Sequence, residues 1–240
     1  RHASNQDRSQ GLTSKLRVGS GERSRGSPFS YACASCGRCC RDKVIHVGPY
    51  EIARLAKNLG ISTGELIERH TTDAGSVLAT RDDGTCVFLE GNGCGVHADR
   101  PLVCRLYPLG RVVHASGGET FVEVQPHPES EGVYGEDGTV ADYVATQGAL
   151  PYIDAASRYY RVLSRMVELL SRQPDAPPTL GEALAAVEAP SDIDPAMDVD
   201  AFVGDYCRRH ARPVPDEVEA KVALHLDALS DWLDEIERES

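Results

Sequence analysis

The sequence predicts an α+β fold, mainly α: a small antiparallel sheet and a cysteine-rich centre, followed by a helical C-terminal part. Three observations carry this reading. Seven of the eight cysteines lie between residues 33 and 104. Short runs of strand-forming residues bounded by turn residues fill 76–125. From Thr139 onward the apolar residues recur at helical spacing. The expected division is a disordered basic tail over 1–28, a cysteine-rich metal-binding domain over 29–130, and a helical extension packed on it over 131–240.

Bulk properties bound the function classes. A chain of 240 residues buries one substantial core, or a metal-centred core plus a helical extension. Its 41% hydrophobic and 26% charged residues are ordinary for a soluble globular protein, and a cytoplasmic location is expected. No run of about eighteen apolar residues exists, so no membrane partner is expected. The net charge of −12 argues against a nucleic-acid partner for the domain as a whole. That charge is uneven: residues 1–28 carry +4 and the remainder −16. Leu12, Leu16 and Val18 are the sizeable apolar residues of this first stretch, too few to offset the entropy of ordering it. A solvated tail is the plain reading; a nucleic-acid arm or a targeting remnant is the functional one.

In the cysteine-rich part, Ile52, Leu55, Ala56 and Leu59 keep helical spacing after Gly48-Pro49, and Gly60 is a natural stop. "STGE" (Ser62 to Glu65) is a capping-box pattern that opens a second helix through about Arg69. "SVLAT", "CVFL", "GRVVHA" and "TFVEVQ" are strand candidates, the last two joined by the turn "SGGE". Between them "RPLVCRLYP" reads as a helical turn, opened by Pro101 and stopped by Pro108.

In the extension, "TVADYVATQG" reads as a helix. "PYIDAASRYYRVLSRMVELLSR" reads as another, with Tyr152, Ala156, Tyr159, Leu163, Met166 and Leu170 as its apolar stripe. "QPDAPP" is a linker, "TLGEALAAVE" a short helix and "DIDPAMDVD" an acidic connection. Asp192, Asp194, Asp198 and Asp200 lack the spaced glycine and terminal glutamate of a calcium loop and are read as a solvated turn. A final helix over about 215–237 carries Val218, Val222, Leu226, Leu229, Leu233 and Ile236.

The chemistry is in the cysteines. Cys33, Cys36, Cys39 and Cys40 form C-x-x-C-x-x-C-C. In a C-x-x-C turn two thiolates converge on one ion while backbone N–H groups stabilise the sulfurs, and Gly37 supplies the positive φ such a turn requires. In "CVFLEGNGCGVHADRPLVCRLYP" a turn tipped by Asn92-Gly93 sets Cys86 and Cys94 on opposite sides of a hairpin, and the helical turn returns Cys104 toward them. A disulfide framework suits a shorter, secreted chain, and a dithiol redox motif needs one C-x-x-C in a βαβ unit. Metal binding by Cys33, Cys36, Cys39, Cys40, Cys86, Cys94 and Cys104 is therefore expected, with zinc or an iron–sulfur cluster as cofactor. Seven thiols exceed the four that either takes, and adjacent Cys39 and Cys40, pointing differently, are read as serving two centres or leaving one spare.

These motifs resemble those of the CxxCxxCC family, YkgJ-type cysteine-cluster proteins described as zinc- or iron-chelating. The likeness covers about residues 31–110 and rests on all seven cysteines and the segment Arg100-Pro101-x-x-Cys104-Arg105-x-Tyr107-Pro108 in order. It implies a bacterial cytoplasmic metal-binding domain, mostly without a defined reaction. A relative, the flagellin lysine methylase, shares the cysteine motif and implies a four-iron, four-sulfur cluster, which favours that cofactor over zinc here. Family members carry an eighth cysteine soon after the Tyr-Pro. This chain has none there, leaving His127 or Cys207 as substitutes, each with a plainer reading as a loop histidine and a buried core cysteine.

Three function classes follow: a metal-cluster protein, a cluster-dependent enzyme such as an S-adenosylmethionine-dependent protein methyltransferase, and a structural zinc scaffold or interaction module. The enzyme reading needs a pocket, for which Arg100, Arg105, Tyr107 and Arg111 are the candidate lining, and no glycine-rich nucleotide loop accompanies them. No protein partner is named by the sequence.

Overall fold

A computed structural model describes residues 18–91, 93–114, 117–171 and 196–239. Its strands are β1 (Val18–Arg23), β2 (Pro28–Ala32), β3 (Thr71–Thr72), β4 (Val77–Leu78), β5 (Leu89–Glu90), β6 (Gly93–Cys94), β7 (Leu109–Val113), β8 (Glu119–Val124) and β9 (Val133–Thr139). Its helices are α1 (Pro49–Leu59), α2 (Thr63–His70), α3 (Leu102–Leu106), α4 (Val140–Thr146), α5 (Leu150–Ser171), α6 (Val199–Arg209) and α7 (Val218–Glu239). The fold is mainly α with small antiparallel sheets: β1-β8-β7, and the two-stranded ribbons β2-β9, β3-β4 and β5-β6.

Residues 1–17 of the expected tail lie outside the described residues. Residues 18–28 depart from disorder: β1 pairs with β8 at Val18↔Val124 and Gly19↔Glu123. Two basic residues fasten this stretch, Arg23 to Glu123 and Arg25 to Glu119, where Arg111 reaches the same carboxylate. Counting apolar residues alone missed this, because the stretch borrows charge from a strand a hundred residues away. β9 lies beyond the expected domain boundary at 130, yet it pairs with β2 in register Tyr31↔Tyr134 and Ala32↔Val133. One ribbon therefore joins the cysteine-rich part to the helical part.

The helix signals act as their chemistry requires. α1 has Pro49 in its first turn and ends at Gly60, whose φ of 68° is the left-handed conformation glycine adopts without strain. Buried Glu51 turns its carboxylate back to accept the Gly48 N–H at 3.0 Å. The Ser62 hydroxyl caps α2 by accepting the Glu65 N–H, and Thr139 and Asp142 cap α4 reciprocally.

Two apolar cores meet on α1. Tyr50 and Ala53 face a larger core with Phe29, Leu106, Phe121, Val144, Tyr152 and the inner stripes of α6 and α7. Ile52, Leu55 and Ala56 face a smaller one with Leu66, Leu78, Phe88, Val96 and Met197. The stripe expected on the last helix is the buried face of α7 from Val218 to Leu233. That stripe left out His225, which is 0% exposed on the same helix.

The linker over 173–178, the short helix over 179–188 and the acidic residues Asp192 and Asp194 lie outside the described residues. Asp198 and Asp200 are a fastening rather than a solvated turn. Thr63 Oγ1 donates to Asp198 at 2.6 Å, the Thr63 N–H donates to Asp200 at 2.9 Å, and the Asp200 N–H donates to Thr63 Oγ1 at 2.9 Å. Lys221 of α7 pairs with Asp200 at 2.7 Å, so three helix ends share one polar joint.

Candidate metal centre

Cys33 and Cys36 follow β2 in a turn built on two left-handed residues, Ser35 at φ 54° and Gly37 at φ 69°. The Ser35 N–H points at Cys33 Sγ at 3.4 Å, which is how such turns stabilise a thiolate. Gly37 then opens a single 3-10 turn, Arg38–Cys40, closed by the Cys40 N–H to the Gly37 carbonyl at 3.2 Å. The two adjacent thiols act on each other, the Cys40 S–H serving as donor toward the Cys39 thiolate in a hydrogen-bonding interaction. That bond, with Lys43 and Arg100 nearby, brings the Cys39 thiol down to about 7, while it pushes Cys40 up.

Cys86 is tied to this turn by its N–H, which donates to the Cys40 carbonyl at 2.8 Å, and by the antiparallel bridge Arg41↔Thr85, while the bridge Thr80↔Cys86 holds its other side. "CVFL" is not one strand. The chain turns after Cys86, with the Leu89 N–H on the Cys86 carbonyl at 3.0 Å, and the hairpin proper is β5-β6 with Leu89 opposite Cys94. Phe88 is the reason: it is buried in the smaller core, and the turn places it there. Cys104 sits on α3, its N–H on the Pro101 carbonyl at 2.9 Å.

Five thiols from these segments feel one another. Burial pushes Cys104 up, and the charges of Cys86, Cys39 and Cys94 push in the same direction. Burial also raises Cys94, with Cys86 and Cys39 adding to it. Cys104 and Cys94 act likewise on Cys40. Among the described residues, no three Cys, His, Asp or Glu side chains converge at ligating distance. Cys33 is exposed, and Tyr31, raised mainly by burial, feels the charges of Cys33, Cys39 and Cys36.

The candidates for an eighth ligand are engaged elsewhere. Cys207 is 2% exposed in the larger core, with Sγ 3.5 Å from the Pro213 carbonyl. His127 Nδ1 accepts the Glu129 N–H at 3.1 Å, which leaves the proton on Nε2 of the neutral ring. The arginines proposed as pocket lining hold the backbone together. Arg105 is buried and donates to the Arg100, Ala98 and Gln147 carbonyls and to the Tyr152 hydroxyl. Arg100 bonds the His97 carbonyl and Gln147, and Arg111 bonds Glu119 and Ser157.

An aromatic wall escaped the sequence reading. Tyr31 packs edge-on against Tyr107 and Tyr134, with centroids 6.1 and 5.0 Å away, and the Tyr143 hydroxyl donates to the Tyr107 carbonyl at 2.5 Å. Its sequence signal was Tyr31, two positions before the first cysteine. The donor set is chemically suited to zinc or an iron–sulfur cluster, since both take thiolates and a cation would offset the burial and mutual repulsion that raise Cys40, Cys86, Cys94 and Cys104.

Comparison with known proteins bears on the same segment. The model of the CxxCxxCC family, described as "Putative zinc- or iron-chelating domain", matches residues 32–127. An uncharacterized protein of Methanocaldococcus jannaschii is 27% identical over 118 residues, covering 48% of this chain and 64% of its own length. The chain thus spans just under two thirds of that relative. No solved structure matches significantly. Metal chelation is the chemistry of the matched family, and the thiols gathered above lie within the matched residues. Residues 32–127 of this chain are thus similar to the CxxCxxCC family over the stretch that carries seven of its cysteines.

Proposed function

We propose that the protein holds one metal centre on thiolates drawn from Cys39, Cys40, Cys86, Cys94 and Cys104, with Cys33 and Cys36 at its rim. The observation that carries this is the joining of the Arg38–Cys40 turn to the Cys86 segment by a backbone hydrogen bond, with Cys94 and Cys104 within electrostatic reach of Cys39 and Cys86. Four of the five thiols satisfy either a tetrahedral zinc or a four-iron cluster. We favour the four-iron, four-sulfur cluster, on the doubled C-x-x-C spacing and the likeness to the methylase motif. Eight unpaired cysteines support a reducing, cytoplasmic setting. Methyl transfer gains no support from Arg100, Arg105 and Arg111, whose guanidinium groups are occupied within the fold.

The test is purification without oxygen, followed by absorption spectroscopy and assay of iron, zinc and acid-labile sulfide. Broad visible absorption with iron and sulfide is the expected result. A colourless protein with one zinc per chain replaces the cluster by zinc, and a chain holding no metal under either condition overturns the proposal.

A further inference from the structure

Behind the wall that joins Cys40 to Cys86 lies an open cleft of about 290 Å³, room for a ligand of about ten non-hydrogen atoms. Its sides continue the two cysteine-bearing segments: the Asp42 N–H donates to the Gly84 carbonyl at 3.0 Å, two residues beyond Cys40 and two before Cys86. Leu78, buried, forms the floor with Val77, and Val44, 69% exposed, stands at the mouth.

Two opposite charges line this cleft. Asp42 and Lys43 are adjacent in sequence, and neither side chain makes a hydrogen bond or ion pair among the described residues. Asp42 is held at φ 51°, and Gly84 leaves the room its carboxylate occupies, since a Cβ there would lie 2.5 Å from Asp42 Oδ1. The Asp42 carboxylate and the Lys43 ammonium, whose charge also reaches Cys39, stand beside a short apolar floor and match a molecule that carries both charges on a small hydrocarbon body.

We propose that this cleft binds a small zwitterion of the α-amino-acid class with a short aliphatic side chain. Lys43 takes the carboxylate, Asp42 the ammonium, and Val77 and Leu78 the hydrocarbon. This reading goes beyond metal binding and does not depend on it.

The experiment is a titration of the ¹⁵N-labelled full chain, as purified with its metal, with L-leucine, followed by amide chemical shifts. Saturable shifts at residues 42–44 and 77–84 are expected. Isovalerate, which lacks the ammonium, and isoamylamine, which lacks the carboxylate, should each bind at least about tenfold more weakly, the factor one charged hydrogen bond supplies. Lys43→Met and Asp42→Asn should weaken leucine by a similar factor, and their spectra report whether each variant is folded. Absence of saturable shifts with leucine overturns the inference, as does isovalerate or isoamylamine binding as tightly as leucine in the unaltered chain. Metal is assayed on the same samples: a chain that binds leucine without metal upholds this site and counts against the metal proposal alone.

Discussion

At the scale of single residues, the cysteines separate by environment. Cys104 is half-buried and within electrostatic reach of three other thiols, whereas Cys33 is exposed on its turn. Replacing Cys104 by Ser should abolish stoichiometric metal binding, while Cys33→Ser should retain most of it and Cys207→Ser all of it. Elemental analysis of the three variants checks this order; equal loss from Cys33→Ser and Cys104→Ser would place both in the inner ligand set. A second residue governs acid stability. His225 is fully buried against Phe202, with both ring nitrogens lacking hydrogen-bond partners among the described residues. Burial lowers its pKa from the ordinary 6.5 to about 4, so the folded ring stays neutral while the unfolded chain takes up a proton near 6.5. The native state therefore keeps its full advantage above pH 6.5 and loses about 3 kcal/mol as the pH falls to 4. In urea unfolding at pH 7 and pH 4.5, His225→Leu should lose less stability on acidification than the unaltered chain. Equal losses in both would remove His225 as the cause.

At the scale of elements, the α2–α6 joint allows a prediction with a change of sign. Gly64 sits inside α2, where alanine would normally add about 1 kcal/mol of helix stability. Here an added Cβ would lie 2.6 Å from Asp198 Oδ2 and displace the carboxylate that caps α6 and accepts from Thr63. Losing those bonds costs about 1–2 kcal/mol each, so Gly64→Ala should destabilise the chain. In an Asp198→Ala background the same change should stabilise it, and thermal unfolding of the four proteins decides the matter. Elements of this kind mark the limit of what the sequence shows. α1, α2, α3, α4 and the hairpin β7-β8 were legible, because caps, prolines and period are local signals. β1, β2 and β9 were not, since each is stabilised by partners about a hundred residues away and β9 reads as a glycine- and acid-rich loop. The candidate ligands are read from spacing alone, and all seven lie in or beside the segments joined around Cys40 and Cys86. The proposed division into an inner five and a rim pair has no local signal, because it depends on how the Gly37 turn meets the Cys86 segment.

At the scale of the molecule, the two cores should respond differently to metal removal. The larger core draws on α4, α5, α6 and α7 and contains Cys207 but none of the proposed ligands among its buried residues. The smaller core has Cys86 and Cys94 packed against it, so the proposed metal centre would adjoin it directly. Structural metal affinity appears as folding free energy of the segment that carries the ligands. Chelation should then release residues 33–43 and 84–104, whose ordered structure is a set of short turns and two-residue strands. α5 and α7 should persist, since their apolar faces are buried against each other and against α1. α1 is the link between the two responses, because Tyr50 and Ala53 belong to one core and Ile52 and Leu55 to the other. Its protection should fall to an intermediate level. Hydrogen exchange on metal-loaded and chelated protein measures all three regions at once. The expected pattern is a large loss at the cysteine segments, a partial loss in α1 and little change in α7. Uniform loss would mean that the two cores unfold as one unit. No change anywhere would mean that the thiols keep their arrangement without metal, and that the centre contributes chemistry rather than stability.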